Sequence, residues 1–223
     1  LFSFIVLKKK LTFKYKYEAI QKIHDGDISR YGGLAIYLTI FLIGFFIDNN
    51  LIKLISLSSI PLILISLKED IMHNVKPAFR LSGMIISAYI FLYFFPYSLP
   101  TILIPVIDIS IINTFLLIIF YIFSVIVIVN GINLIDGSNG LATMTSLSIL
   151  AGVSLISWQL NDLYLQNICI SFIAVLIIFL IFNYPFGKIF LGDLGAYYLG
   201  ILCSALVISL YARHPEIPNW GAV

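Results

Sequence analysis

The residues best suited to chemistry in this chain are four carboxylates, Glu69, Asp70, Asp136 and Asp193, each beside a long apolar run. They stand in three polar links. The first is Lys68-Glu69-Asp70, and the second runs from Asn130 through Asn133, Asp136 and Asn139 to Gly140. The third runs from Asn183 through Lys188, Phe190 and Gly192 to Asp193. A carboxylate at the end of a membrane span is costly to desolvate unless another charge, a cation or water meets it. Acids converging from separate links suit a divalent cation that itself binds phosphate, since Mg²⁺ uses one or two carboxylates plus substrate phosphates. Turn preference accounts for Asp and Gly in any one such link. It does not account for their gathering on one side.

The elements that must position these acids are helices in a membrane. Of 223 residues, 61% are hydrophobic and 11% charged, with a mean hydropathy of +1.05. Soluble domains run at about 45–50% apolar and about 25% charged, so the chain is read as an all-α, polytopic integral membrane bundle forming a single domain over 1–223. Seven complete spans are expected, at about 32–48, 51–67, 81–97, 111–130, 140–158, 167–184 and 194–211. The period-2 alternation of a membrane barrel is missing. The net charge of +2 is too small to suggest nucleic acid. Cys169 and Cys203 fall inside apolar runs, which indicates neither a disulfide framework nor a zinc site.

Sidedness follows from the cations. Eleven of the 13 Lys and Arg residues lie in the links 8–31, 68–80 and 185–193; only Lys53 and Arg213 lie on the other side. Positive links are retained in the cytoplasm, so the acidic links are expected to face it. The interleaving of Tyr15 and Tyr17 with lysines over 8–22 suits anionic headgroups, although topology determination explains those lysines as well. The apolar stub at 1–7, followed by Lys8-Lys9-Lys10, has its charges on the wrong side for a signal peptide. It reads as the end of an earlier span, and 213–223 trails off after a span, so a fragment is expected.

Together these residues carry a resemblance. Residues 130–142 resemble the Asn-x-x-Asn-x-x-Asp-Gly-x-x-Gly-Leu-Ala motif of the polyprenyl-phosphate N-acetylhexosamine-1-phosphate transferases, within glycosyltransferase family 4. Phe190-Leu191-Gly192-Asp193-Leu194-Gly195-Ala196 is similar to that family's Phe-Met/Leu-Gly-Asp-x-Gly-Ser/Ala motif. Arg30-Tyr31-Gly32-Gly33 resembles its early Arg-x-Gly-Gly segment, and Glu69-Asp70 through Arg80-Leu81 its paired-acid segment. The resemblance covers roughly residues 25–200, in order.

It implies transfer of a sugar-1-phosphate from a UDP-N-acetylhexosamine to undecaprenyl or another polyprenyl phosphate, with release of UMP and with Mg²⁺ or Mn²⁺ as cofactor. The place implied is the cytoplasmic side of a bacterial inner membrane. By resemblance Asp70, Glu69 and Asp193 are catalytic, and Asp193 and Asp136 are Mg²⁺ ligands. Gly192 and Gly195 beside Asp193 let the backbone approach a pyrophosphate, although Asp before a new span also suits a helix cap. Asn133, Asp136 and Asn139 are assigned to substrate, with Asn139 standing where many relatives have Asp. Phe190 matches a uracil-stacking aromatic, while Lys188 and Arg30 are candidates for phosphate contact.

The family usually has two aspartates where this chain has Glu69-Asp70; the longer Glu arm puts a general-base role at that position in question. Together with Asn139 and Phe186-Gly187-Lys188, the pair suggests the lipopolysaccharide-initiating branch rather than the peptidoglycan branch. The resemblance also leaves room for a homodimer. His73, three residues after Asp70, reads as a surface residue. A transporter would carry charge near the bilayer midplane, and the span interiors here carry almost none. A Mg²⁺-dependent prenyltransferase would show paired Asp-x-x-x-Asp motifs, and none occurs.

Overall fold

A computed structural model describes residues 30–100 and 114–215. The expectations for the stub 1–7, the basic stretch 8–22 and most of the link 8–31 lie outside the described residues. Among the described residues, eight helices follow in order: α1 (Gly32–Phe46), α2 (Asn50–Ser58), α3 (Ile60–Met72), α4 (Pro77–Tyr93), α5 (Thr114–Ile135), α6 (Leu141–Gln159), α7 (Leu163–Asn183) and α8 (Gly192–Arg213). The described residues form no strand ladder, as the all-α reading requires.

Four of these helices, α5 to α8, are long and apolar enough to cross a bilayer. The pair α2 and α3 makes a fifth if counted as one span, bent by 48°. The expected seven is therefore more than the helices show, because α1 and α4 have only 15 and 17 residues. The break inside the expected span 51–67 has a local cause. Pro61 has no N–H to continue the ladder. The Ser58 and Ser59 hydroxyls both donate back to the Ile55 carbonyl, at 3.1 and 2.6 Å, which is a helix-bending arrangement.

Elsewhere the helices overrun the expected links. Helix α5 continues through Asn130 and Asn133 to Ile135, with the Asn130 amide donating to the Ile126 carbonyl at 2.9 Å. Helix α3 likewise continues to Met72, so Glu69 and Asp70 ride on its last turn. Asn49 and Asp162 cap the short turns before α2 and α7, accepting the N–H groups of Ile52 and Leu165 at 3.0 and 3.1 Å.

Helix α8 is the axis of the bundle. It is apolar around its whole circumference, and 89% of its most apolar stretch is buried, against 22% for α5. A helix of that kind belongs inside. It contacts α1, α3, α5 and α6, and small residues permit the approach. Gly33 of α1 lies against the Gly195 backbone, and a Cβ on Gly200 would come within 2.5 Å of Val129 Cα on α5.

The end of the bundle away from the acidic links is tied by a second polar cluster. Arg213 donates from Nε and Nη2 to the buried Asp162 carboxylate at 2.6 and 2.8 Å, and from Nη1 to the Tyr97 hydroxyl at 2.5 Å. His214 Nε2 lies 3.0 Å from the same carboxylate. Burial would raise the Asp162 carboxyl, but hydrogen bonds from Arg213, the Leu165 N–H and His214, with the Arg213 charge, hold it at about 2.

Candidate functional site

The site begins with a contact between α3 and α8. The N-terminus of α8 has N–H groups with no partner inside the helix, and Asp70 supplies acceptors from across the bundle. Its two oxygens accept the Asp193 and Leu194 N–H groups at 2.9 and 3.0 Å. Gly192 makes room for this. Its φ is +74°, and a Cβ there would sit 2.7 Å from the Arg30 carbonyl and 3.0 Å from Asp70 Oδ2. The start of α1 joins the same corner, where Gly32 and Gly33 donate their N–H groups to the Phe190 and Leu191 carbonyls at 3.1 and 2.9 Å.

Arg80, at the start of α4, completes the corner. Its Nη1 lies 3.4 Å from Asp193 Oδ2 and 4.0 Å from Glu69 Oε1. The sequence reading placed Arg80 within the paired-acid segment without assigning it a role. The available signal was a cation ten residues after Asp70 in the same positive link. Glu69 has a second partner, since its Oε2 accepts the Val75 N–H at 2.7 Å.

Asp136, in the turn just after α5, lies close enough to feel Asp70, Asp193 and Arg30. Its carboxyl is pushed up to about 8, first by burial and then by the charges of Asp193 and Asp70, with Arg30 opposing. Three of the four expected carboxylates thus share one electrostatic neighbourhood, and Arg80 ties the fourth, Glu69, to it. Asn133 stands one turn before Asp136 on α5.

The turn 136–140 packs on the link 184–191. The Asn139 amide reaches the Pro185 carbonyl at 3.5 Å, and a Cβ on Gly187 would meet both that amide and the Phe190 ring, at 2.8 and 3.2 Å. Asn139, Gly187 and Phe190 are therefore neighbours. The Asn183 amide holds the link from beneath by donating to the Ile189 carbonyl at 2.8 Å. Lys188 is exposed and lies over the Phe186 ring at 6.0 Å.

Among the described residues, no three His, Cys, Asp or Glu side chains form a ready-made metal cage. The donor set nevertheless fits a hard cation. Carboxylate oxygens are what Mg²⁺ takes, it needs one or two of them with substrate phosphates beside, and the charges of Asp193 and Asp70 both bear on Asp136. Five of the seven described Lys and Arg residues (Arg30, Lys68, Lys76, Arg80 and Lys188) belong to this end, and Lys53 and Arg213 to the other.

Apolar helices around a buried axial helix, with acids and arginines gathered at one end, define a multi-pass membrane protein with a polar terminal site. The chain belongs to glycosyl transferase family 4, whose family model matches residues 31–211. Among its relatives are three phospho-N-acetylmuramoyl-pentapeptide-transferases. That of Streptococcus uberis is 31% identical over 150 residues, covering 64% of this chain and 42% of the relative. That of Staphylococcus carnosus is 33% identical over 110 residues, 49% of this chain and 34% of the relative. That of Streptococcus mutans is 36% identical over 93 residues, 42% of this chain and 27% of the relative. The chain thus spans less than half the length of the curated relatives it matches.

Proposed function

We propose that the protein transfers a sugar-1-phosphate from a UDP-linked N-acetylhexosamine to a polyprenyl phosphate, releasing UMP, at the cytoplasmic face of a bacterial plasma membrane. The observation that carries this reading is the meeting of Asp70, Asp136 and Asp193, from three different elements, with Arg30 and Arg80 at the cation-rich end of the bundle. Family membership and the names of the relatives support the reaction class. The excess of positive residues at that end supports the cytoplasmic orientation, and the expected seven spans remain part of the same reading.

In this reaction an oxygen of the lipid phosphate attacks the phosphorus that bears the sugar. A new P–O–P bond forms, the bond to the UMP oxygen breaks, and UMP leaves with the electron pair. Catalysis of such a transfer is mostly positioning and charge neutralisation. Asp193 and Asp136 are the residues to hold Mg²⁺ or Mn²⁺, which when bound neutralises crowded phosphate oxygens. Asp70 fixes the helix that carries Asp193. Arg80 and Arg30 supply fixed positive charge for the phosphates, with Lys188 at the rim. Asn133 and Asn139 offer side-chain amides to the donor, and Phe190 a face for its base.

The names of the relatives point to peptidoglycan, and the lipopolysaccharide branch favoured by the sequence gains no support from them. The donor is therefore assigned here only as a UDP-N-acetylhexosamine, with or without a peptide. A homodimer gains no support either and is not part of the proposal. The test is Mg²⁺-dependent UMP release by the full-length protein in membranes with undecaprenyl phosphate. UDP-N-acetylglucosamine and UDP-N-acetylmuramoyl-pentapeptide are compared, and Asp193→Ala is the control. Release that needs lipid, metal and Asp193 is expected; its absence with both donors from folded protein rejects the proposal.

A further inference from the structure

We infer that Glu69 is a positioning residue, which locks the α3–α4 turn and through it Arg80, and that it is not a proton acceptor; this rests on the transferase reading above. The geometry shows where its carboxylate is spent. Helix α3 ends at His73, whose φ of +51° is left-handed and whose N–H donates to the Glu69 carbonyl at 2.8 Å. The chain then turns through Asn74 and Val75 into α4, and Glu69 Oε2 accepts the Val75 N–H at 2.7 Å. Main chain and side chain of one residue thus close the same turn.

Five residues beyond Val75 stands Arg80, whose guanidinium lies between Glu69 Oε1, at 4.0 Å, and Asp193 Oδ2, at 3.4 Å. One carboxylate oxygen fixes the backbone leading into α4, and the other faces the cation that α4 carries. The longer Glu arm gives Glu69 the reach to span from the last turn of α3 to Val75. A carboxylate so engaged orients Arg80 toward Asp193.

A base and a turn lock differ in what replaces them. An amide oxygen accepts the Val75 N–H as a carboxylate does, so Glu69→Gln keeps the turn closed, gives up only the long 4.0 Å contact with Arg80, and abolishes proton acceptance. Glu69→Leu removes both. In the full-length protein, UMP release by Glu69→Gln is expected within about fivefold of wild type, while Glu69→Leu falls by about a hundredfold, the scale of a misplaced catalytic group. The amide of Val75, followed by hydrogen exchange without substrate, is expected to exchange about tenfold faster in Glu69→Leu than in wild type or Glu69→Gln. A Glu69→Gln protein as inactive as Glu69→Leu, or a Glu69→Leu protein as active as wild type, overturns the inference. So does a Val75 amide indifferent to both substitutions. If wild type releases no UMP, the transferase reading fails by itself, and the exchange measurement still decides whether Glu69 closes the turn.

Discussion

Asp70 and Asp193 are 123 residues apart, yet the Asp70 carboxylate accepts the Asp193 backbone N–H at 2.9 Å and the next one, of Leu194, at 3.0 Å. An acid on α3 therefore caps α8, the helix that carries Asp193, one of the two acids proposed above to hold a cation. Capping by an acid is favourable at a helix N-terminus, where the helix dipole is positive. Asp70→Ala leaves two N–H groups without this acceptor and is expected to cost about 1–2 kcal/mol of stability. Asp70→Asn retains one oxygen acceptor and is expected to cost less. Thermal unfolding in detergent with and without Mg²⁺ checks the order, and UMP release is expected to fall in both variants.

Gly192 makes that cap possible. An alanine there has to adopt a φ of +74° and place its Cβ 2.7 Å from the Arg30 carbonyl and about as close to Asp70. The expected result for Gly192→Ala is a loss of roughly 1–3 kcal/mol from backbone strain, together with loss of UMP release, because the α3 and α8 ends are forced apart. Gly152→Ala serves as the contrast. A Cβ at Gly152 meets nothing within 4 Å, and the substitution is expected to leave unfolding unchanged or slightly delayed, by the helix preference of alanine.

Much of the site was legible in the sequence, for a physical reason. In a chain this apolar, an Asp is tolerated only at a span end or against a partner, so Asp136 and Asp193 stand out unaided. What was not legible depends on contacts between distant segments. Nothing near Asp70 says that its partner is the start of α8, and nothing near Arg80 says that it reaches Asp193. The bend at Ser59 was hidden because 51–67 is apolar apart from Lys53 and four serines; only Pro61 and the buried serines mark it. The continuation of α5 to Ile135 was missed because Asn130, Gly131 and Asn133 look like a link, whereas Asn130 satisfies itself on its own helix.

The far end of the bundle makes a separate prediction. Asp162, Arg213 and Tyr97 join the α6–α7 turn, the end of α8 and the segment after α4. Losing Arg213 strips charge-assisted hydrogen bonds from the buried Asp162 carboxylate but leaves it those of the Leu165 N–H and His214, at about 1.5–3 kcal/mol. Arg213→Ala is therefore expected to lower the unfolding temperature markedly, with the KM for the UDP-sugar unchanged because the site lies at the opposite end. The Asp162 carboxyl is held at about 2, below its unfolded value. Its contribution is present above about pH 4 and is lost as pH falls through 2, so unfolding temperature measured between pH 5 and 7 is expected to show no change from this group.

Asp136 behaves in the opposite sense. Its folded carboxyl sits at about 8, above the unfolded value of about 3.9, so the native state binds the extra proton between those limits. Stability of the cation-free protein is then greatest below about pH 4 as far as this group is concerned, and declines as pH rises through 8. On the metal role proposed above, a divalent cation competes for the same oxygens and gains as the proton leaves. The expected outcome is that EDTA-treated protein loses unfolding temperature between pH 6 and 9, and that Mg²⁺ restores more of it at pH 9 than at pH 6. Asp136→Asn is expected to flatten both trends, since an amide neither titrates nor repels Asp70 and Asp193. If the wild-type slope persists in Asp136→Asn, the titrating group lies elsewhere and Asp136 is not the carboxyl that answers the cation.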